Sequence, residues 1–503
     1  MNIKRAKEEI KDAIQAYLMK DEFGNYEIPR IRQRPVLLLG APGIGKTQIM
    51  EQIARECGIG LVSYTITHHT RQSAIGLPFI SRKNYGGRTC SVTEYTMSEI
   101  VASVYDKMEQ TGLSEGILFI DEINCVSETL APAMLQFLQC KTFGCHEIPE
   151  GWMIVAAGNP PEYNKSVREF DVVTMDRVKK IEVEPDFQVW KEYAWKEMIH
   201  PAVISYLSLR PKYFYQMETT VDGKIFATPR GWEDLSTLIR VYEKLGKPVD
   251  AEVVIQYIQH PKAAKDFANY LELYRKYRED YQIEAVLKGK DSTGMQKKAA
   301  HASFDERLSV IGLLLSGCTQ AFRKAVQAEE CLEMVYRVLQ EWKKGVLEGP
   351  HDSQAAEFLK ELQEELSREG SRKKQAELLT REEENTYRSA GKILESFVRE
   401  LETEGSLRGA EAFERVSELF AREQKAYDQS YEEAGETLEH VFDFMEAVFG
   451  ESQEMVMFIT ELNTNFHSVR FLREYECERY FQYNRELLFD EGNKEILKRI
   501  QAL

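Results

Sequence analysis

Short apolar runs alternate with helix-periodic stretches along the first part of the chain. "PVLLLG" (35–40), "GLVSYTI" (60–66), "ILFID" (117–121), "WMIVAAG" (152–158) and "KIEVE" (180–184) read as buried strands. Helical patterns separate them, which predicts a parallel α/β sheet with helices on its faces. From about Pro185 the strand pattern stops. "DFQVWKEYAWKEMIHPAVISYLSLR", the segment after Pro229 and "DAEVVIQYIQH" predict a compact all-helical unit. "KGKDSTGMQKKAAHAS" (288–303) mixes Gly, Ser, Thr and charge and reads as a linker.

Beyond it the apolar positions keep helical steps. Phe304, Leu308, Ile311 and Leu315 form one stripe, and Leu332, Val335, Leu339 and Trp342 another. Leu394, Phe397 and Leu401, then Phe413, Val416 and Phe420, continue the pattern. Such stripes predict helix-on-helix core, with a long partner-binding coiled coil as the alternative. "GVLEGPHDS" and "REGSRKK" supply breaks, and no fixed-length repeat is present. The expected division is an α/β core over 1–186, a helical unit over 187–287, a linker over 288–303 and a helical region over 304–503.

Composition narrows the class. A chain of 503 residues suggests about three domains, and 43% hydrophobic residues suffice for substantial cores. No apolar run approaches the roughly 20 residues that cross a bilayer. The opening "MNIKRAKEEIKDAIQAYLMK" reads as an amphipathic helix rather than a signal peptide, so a cytoplasmic location is the default expectation. The eight cysteines are scattered; Cys140 and Cys145 have no metal-knuckle spacing, so free thiols are expected. His68 and His69 lack cysteine partners and read as a polar loop pair, not a metal site. The net charge of −17 argues against a general nucleic-acid binder and for protein partners.

Chemistry enters with residues 40–47. Gly40, Ala41, Pro42, Gly43, Ile44, Gly45, Lys46 and Thr47 match the P-loop pattern, entered from an apolar strand and left by the helical "TQIMEQIAREC". Backbone N–H groups of such a loop turn toward phosphate oxygens, and the helix start presents its positive end to the same charge. Lys46 would reach the β- and γ-phosphates of a bound nucleotide, and Thr47 would ligate Mg²⁺. In "ILFIDEIN", Asp121 and Glu122 emerge at a strand's carboxyl end. There Asp121 can hold the magnesium shell while Glu122 orients the attacking water. Asn159, ending another buried strand, can hold that water or the γ-phosphate. A different puzzle is "FATPRGWEDL". Thr228 suits an N-cap and Pro229 the first helical position, yet Arg230 places a cation at the positive end of a helix. It calls for an anion nearby.

Together "GAPGIGKT", "DEIN", "AAGNPPEYN", "MDRV" and "ATPRGWEDL" resemble an AAA+ ATPase of the MoxR type over about residues 1–260. The resemblance implies a P-loop αβα core with a parallel sheet and a helical lid, to which this chain adds an all-α C-terminal domain. It also implies ATP and Mg²⁺ as ligands and a homo-oligomeric ring, usually of six, with ATP between neighbours. By the same resemblance, Arg177 in "MDRV" acts on the next subunit's γ-phosphate, although Val178 stands where the family has Phe. Arg230 becomes the sensor arginine of the lid, its missing anion being the γ-phosphate held by residues 40–47. The long stretch between Lys46 and Asp121 corresponds to an insertion that faces the ring axis, where Arg71, Phe79, Tyr85 and Arg88 could touch a substrate or only shape a polar loop.

The function expected is ATP hydrolysis coupled to remodelling or activation of a client protein, with a von Willebrand A-domain protein as one candidate partner. Two alternatives stand beside it. One is a nucleotide-gated scaffold with little turnover; the other is a GTP-using motor subunit like McrB, against which the acidic charge weighs. Residues 304–503 contain no second P-loop and no Cys/His cluster; they are expected to form an all-helical domain that chooses or docks the client, with no activity of its own assigned.

Overall fold

The structure is a computed structural model that describes every residue except 69–70, 144–145, 164–166, 168–169, 222, 291, 350–353, 406, 408 and 486–503. The side chains of His68, Arg71 and Ser73 also lie outside the description. Two compact units emerge: Met1–Val189 with Thr228–Arg230 and Ser371–Thr380, and the remainder of the chain.

Five parallel strands form the centre of the first unit: β1 (Val36–Gly40), β2 (Gly60–Thr65), β3 (Gly116–Asp121), β4 (Trp152–Gly158) and β5 (Lys179–Val183). Their order is β2–β3–β4–β1–β5. Each predicted strand is present with its ends within a residue or so of the apolar run. Leu37, Leu118, Ile120, Ile154 and Ala156 pack with Ile100, Val101 and Val104 of helix Glu99–Thr111 and with Met134, Phe137 and Leu138 of helix Ala131–Cys140. Val36, Leu38, Ile117, Phe119 and Val155, which alternate with these, are equally buried. Burial on both faces explains why these strands read as continuous apolar runs. Trp152 lies over the amino ends of its neighbours: a Cβ on Gly116 would sit 2.6 Å from its ring, so only glycine fits beneath the indole.

The amino-terminal segment forms helix Ile3–Leu18, burying Ala6, Ile10, Ala13 and Ile14 at helical spacing. Lys7 and Lys11 join it to Glu56 of helix Lys46–Cys57 at 2.5 and 3.0 Å. The insertion after β2 is an antiparallel hairpin, Pro78–Tyr85 with Arg88–Tyr95, almost wholly exposed on both faces. Gly76 closes its base at φ +103°, where a Cβ would come 1.9 Å from the Thr96 carbonyl oxygen. Segment Ser371–Thr380, from far along the chain, belongs to this unit too, with Glu377 bonded to Lys107 at 2.7 Å.

The second unit is mostly helical. Tyr206 and Trp232 meet Phe267 edge to face, with ring centroids 5.1 and 5.2 Å away. Contrary to the all-helical expectation after Pro185, Gln216–Thr220 and Gly223–Ala227 pair as an antiparallel hairpin. Its strands are five residues long and only Ala227 is fully buried, so they carry no apolar run to read. The stretch read as a linker contains helix Thr293–Ala300, capped by Ser292. The later stripes become helices Phe304–Leu347 (44 residues), Ala355–Gln375, Arg381–Thr403 and Gly409–Val448 (40 residues). Val335, Leu339, Trp342, Leu394, Phe397, Leu401 and Val416 share one core, while Phe304, at the start of its stripe, is exposed. The core reading of these stripes therefore accounts for most of them. Among the described residues no helix is long and apolar enough to cross a membrane.

Candidate functional site

The carboxyl ends of β1, β3 and β4 supply the site, and the chain conformation there follows from residue type. Gly43 and Gly45 adopt φ of +77° and +93°, which side chains with a Cβ rarely accept. A Cβ on Gly43 would also lie 3.2 Å from the Thr228 side chain. Gly45 begins helix Lys46–Cys57, and the Gly45 carbonyl accepts from Ile49 at 3.1 Å. Ala41 and Ile44 turn inward and are buried, while Pro42 is half-buried. Gly40 fits against β5, where a Cβ would meet the Val183 carbonyl oxygen at 2.8 Å.

Lys46 is 8% exposed. Its ammonium donates to the carbonyls of Gly40 and Ala41, both at 2.8 Å, and to Asn159 Oδ1 at 2.9 Å. Burial is the main cause that pushes this ammonium down to about 8. Asp121 and Glu122 oppose the shift, and Arg230 adds to it. Two cations and two carboxylates thus lie within electrostatic reach of one another. Thr47 Oγ1 donates to Asp121 Oδ2 at 3.3 Å. This hydroxyl–carboxylate pair is an oxygen donor set of the sort Mg²⁺ accepts, and Thr47 and Asp121 would hold the ion there. Among the described residues no group of three or more His, Cys, Asp or Glu side chains could hold a metal.

Glu122 follows β3 with φ +56° and ψ +34°. The left-handed backbone costs a non-glycine residue on the order of 1–3 kcal/mol and is concentrated at functional sites. Its N–H donates to Asp121 Oδ1 at 2.8 Å. Beyond it, Ile123–Cys125 form a 3₁₀ turn that buries Asn124. Asn124 Nδ2 donates to the Asn159 carbonyl at 2.7 Å, so this amide orients the residue that touches Lys46. Gly158 leaves room for it: a Cβ there would lie 2.6 Å from Asn124 Oδ1. Asn124 was not singled out in the sequence. Its signal was an amide three places after Asp121, whose partner is visible only once β3 and β4 are paired.

Arg230 joins the site through its backbone. Its N–H donates to the Gly43 carbonyl at 3.2 Å, and Thr228–Arg230 cluster with the first unit. The exposed guanidinium has no ion pair among the described residues. Arg177 is elsewhere. It precedes β5, whose Lys179 pairs with Val36 at the entry of β1, whereas the loop leaves β1 at Gly40. At about 3.3 Å per residue the strand alone separates the two ends by roughly 13 Å. Arg177 is exposed and donates to Gln139 Oε1, with no ion pair to Asp171 or Asp176; Asp171 instead caps Thr174 at 2.8 Å. Val178 behind it is 5% exposed and packs in the sheet core, so the smaller side chain still anchors the turn.

Of the insertion residues, Phe79, Tyr85 and Arg88 stand exposed on the hairpin. The side chain of Arg71, and His69 entirely, lie outside the described residues. So does Cys145, while Cys140 is a free thiol.

Residues 36–173 match the model of the ATPase family associated with various cellular activities (AAA). No curated protein matches the sequence significantly. Among solved structures, an inferred ATPase of Cytophaga hutchinsonii aligns at 16% identity and TM-score 0.24, over 39% of this chain and 56% of its own length. The chain thus spans little more than half of that protein. Two variants of Thermotoga maritima RuvB align at 17% identity with TM-scores 0.27 and 0.29. They are covered over 69% and 76% of their lengths, against 52% and 57% of this chain. Likenesses so distant carry no functional argument. The family match and the five-stranded parallel sheet agree: residues 36–173 match an AAA-family domain and supply four of the five strands, and many C-terminal helices follow.

Proposed function

We propose that the protein is a ring-forming, MoxR-like ATPase in which each nucleotide is completed by two copies of the chain, and whose turnover remodels or activates a partner protein. The observation that carries this reading is the separation of Arg177 from Lys46. Lys46, Thr47, Asp121, Glu122, Asn159 and Arg230 converge at the carboxyl ends of the strands, while Arg177 sits near the amino ends of β1 and β5. An Arg177 that acts on a γ-phosphate must therefore act on a neighbour's.

In this mechanism residues 40–47 cradle the phosphates, and Lys46 turns from backbone carbonyls to phosphate oxygens. Thr47 and Asp121 would hold Mg²⁺, which supplies charge neutralisation at the β- and γ-phosphates. Glu122 accepts a proton from the attacking water as its oxygen bonds to the γ-phosphorus. The bond from that phosphorus to the bridging oxygen breaks, and ADP leaves with the electron pair. Asn159, held by Asn124, keeps water and γ-phosphate in register. Arg230 meets the same charge in cis and Arg177 in trans. Little covalent chemistry falls to the protein; positioning and charge stabilisation dominate.

The test is turnover per subunit against protein concentration. It should rise as copies assemble, and Arg177→Ala should lower the plateau by about 10³-fold or more, the scale of trans-acting arginines. A rate per subunit independent of dilution, or full activity in Arg177→Ala, would remove the shared-site reading. Capture of a stable complex by Glu122→Gln subunits in ATP tests the client half separately. Recovery of no partner leaves only the ATPase.

A further inference from the structure

The face that carries Arg177 also carries a cavity of about 840 Å³, lined by Arg30, Arg32, Arg34, Lys141 and Arg177 with only Glu147 and Asp176 in opposition. Five cations against two carboxylates stand out in a chain of net charge −17. Among the described residues only one of these cations is neutralised in an ion pair: Arg30, held by Glu147 at 2.5 Å. Arg32 and Arg34 are exposed, and their side chains have no hydrogen bond or ion pair among the described residues.

Lys141 is the least expected member. It is 3% exposed, and its backbone is left-handed at φ +55° where helix Ala131–Cys140 ends. Its amide donates to Phe137 and its carbonyl accepts from Arg30 Nη2 and Ile148, so the residue is pinned on both sides. The ammonium has three donors and one acceptor, Gln33 Oε1 at 3.0 Å. Gln33, itself anchored on the carbonyls of Tyr17 and Ile28, ties the arginine segment to the same spot. Burial, with Arg30 alongside, pushes this ammonium down to about 8, and no carboxylate restores it. A buried cation without a counter-charge is costly, and a cavity next to it is a place for the missing anion.

We propose that this cavity receives the terminal phosphates of a nucleoside triphosphate bound by the P-loop of a second copy of the chain, with Arg32 and Arg34 as additional trans ligands beside Arg177 and with Lys141 as the fixed charge behind them. Planar guanidinium groups match phosphate oxygens two at a time, and a volume of this size suits the end of a nucleotide. The inference rests on the trans reading of Arg177 and extends it from one residue to a basic site.

The experiment uses full-length chains and ATP. An Arg32→Ala, Arg34→Ala double variant changes only exposed side chains, and an unaltered thermal unfolding curve checks that it folds. At protein concentrations where the wild type is fully assembled, its turnover at saturating ATP should drop at least tenfold, with affinity of its own P-loop for a fluorescent ATP analogue unchanged. Lys46→Ala subunits keep the cavity and lose the P-loop grip. Co-purified on a tag with the double variant, they should restore turnover several-fold, since each lends its cavity to the double variant's nucleotide. Wild-type turnover in the double variant, or no recovery in the mixed assembly, overturns the proposal. So does a loss abolished simply by raising protein concentration, which would make the cavity a protein–protein contact. Tight binding of inorganic tripolyphosphate to isolated Lys46→Ala subunits would assign the cavity to a free anion instead. If Arg177→Ala is fully active the underlying reading falls; if it is inactive and the double variant is normal, only this extension does.

Discussion

Lys46 engages all three of its donors with protein oxygens and is held near a pKa of about 8 by burial. A phosphate beside it favours the charged form and raises that value. Binding below about pH 8 therefore finds the proton already present, whereas above it a proton must be taken up. Affinity for MgATP should be level below that pH and fall as pH rises beyond it, by up to about tenfold per unit. Calorimetry in buffers of different ionisation enthalpy should record the proton uptake; Lys46→Ala should lose both the affinity and the pH slope. Glu122 makes the complementary case. Glu122→Gln should keep nucleotide binding and lower turnover by about 10²–10⁴-fold, the range for a general base, as read by single-turnover kinetics. The placement of Lys46, Thr47, Asp121 and Glu122 beside one another was legible because loop and strand end are contiguous motifs. Asn124 and Lys141 were not, since an amide and an ammonium acquire their meaning only from burial beside partners 35 and 108 residues away.

Among the elements, legibility followed burial in the same way. The three central strands, β1, β3 and β4, are covered on both faces, so they are apolar at nearly every position and their limits show in the sequence, whereas the outer β2 and β5 keep exposed polar residues such as Ser63 and Glu182. The hairpin Pro78–Tyr95 has no covered face and therefore no alternation; only its glycines mark it. Hairpin Gln216–Ala227 does not show in the sequence although Asp222-Gly223 is a turn signal, because two five-residue strands with only Ala227 fully buried carry no apolar stripe. The long helices were predicted from their stripes, but the small residues that let them meet were not. Gly435, buried in helix Gly409–Val448, is one: a Cβ there would lie 2.2 Å from the Tyr475 ring. Helix propensity alone would make Gly435→Ala stabilising by about 1 kcal/mol. Overlap with a rigid ring should reverse the sign, leaving a net cost on the order of 1–3 kcal/mol. Urea unfolding followed by far-ultraviolet dichroism gives the answer. If Gly435→Ala is more stable than the wild type, the close approach of Tyr475 at this position is wrong.

For the molecule as a whole, charge sets a condition on assembly. Each chain carries −17, so copies brought edge to edge repel one another over a distance fixed by salt. Lowering ionic strength from about 0.15 M to 0.01 M lengthens the Debye screening distance from about 8 to 30 Å, enough to bring most of a neighbour's charge into play. On the shared-site reading, the basic cavity around Arg32, Arg34 and Arg177 would work the other way, attracting a neighbour's nucleotide at short range. Contacts of guanidinium with phosphate, once desolvated, are screened much less than the repulsion between exposed acidic surfaces. On the shared-site reading, sedimentation velocity in MgATP should therefore show more assembly as salt rises toward 0.15 M, with turnover per subunit rising alongside. At salt near 1 M the residual exposed part of the cavity's attraction is screened as well, and turnover should decline again. The Arg32→Ala, Arg34→Ala double variant should keep the rising limb and lose most of the turnover at every salt. Were assembly instead strongest at the lowest salt, attraction between unlike patches would dominate, and net charge would not be what limits how these chains meet.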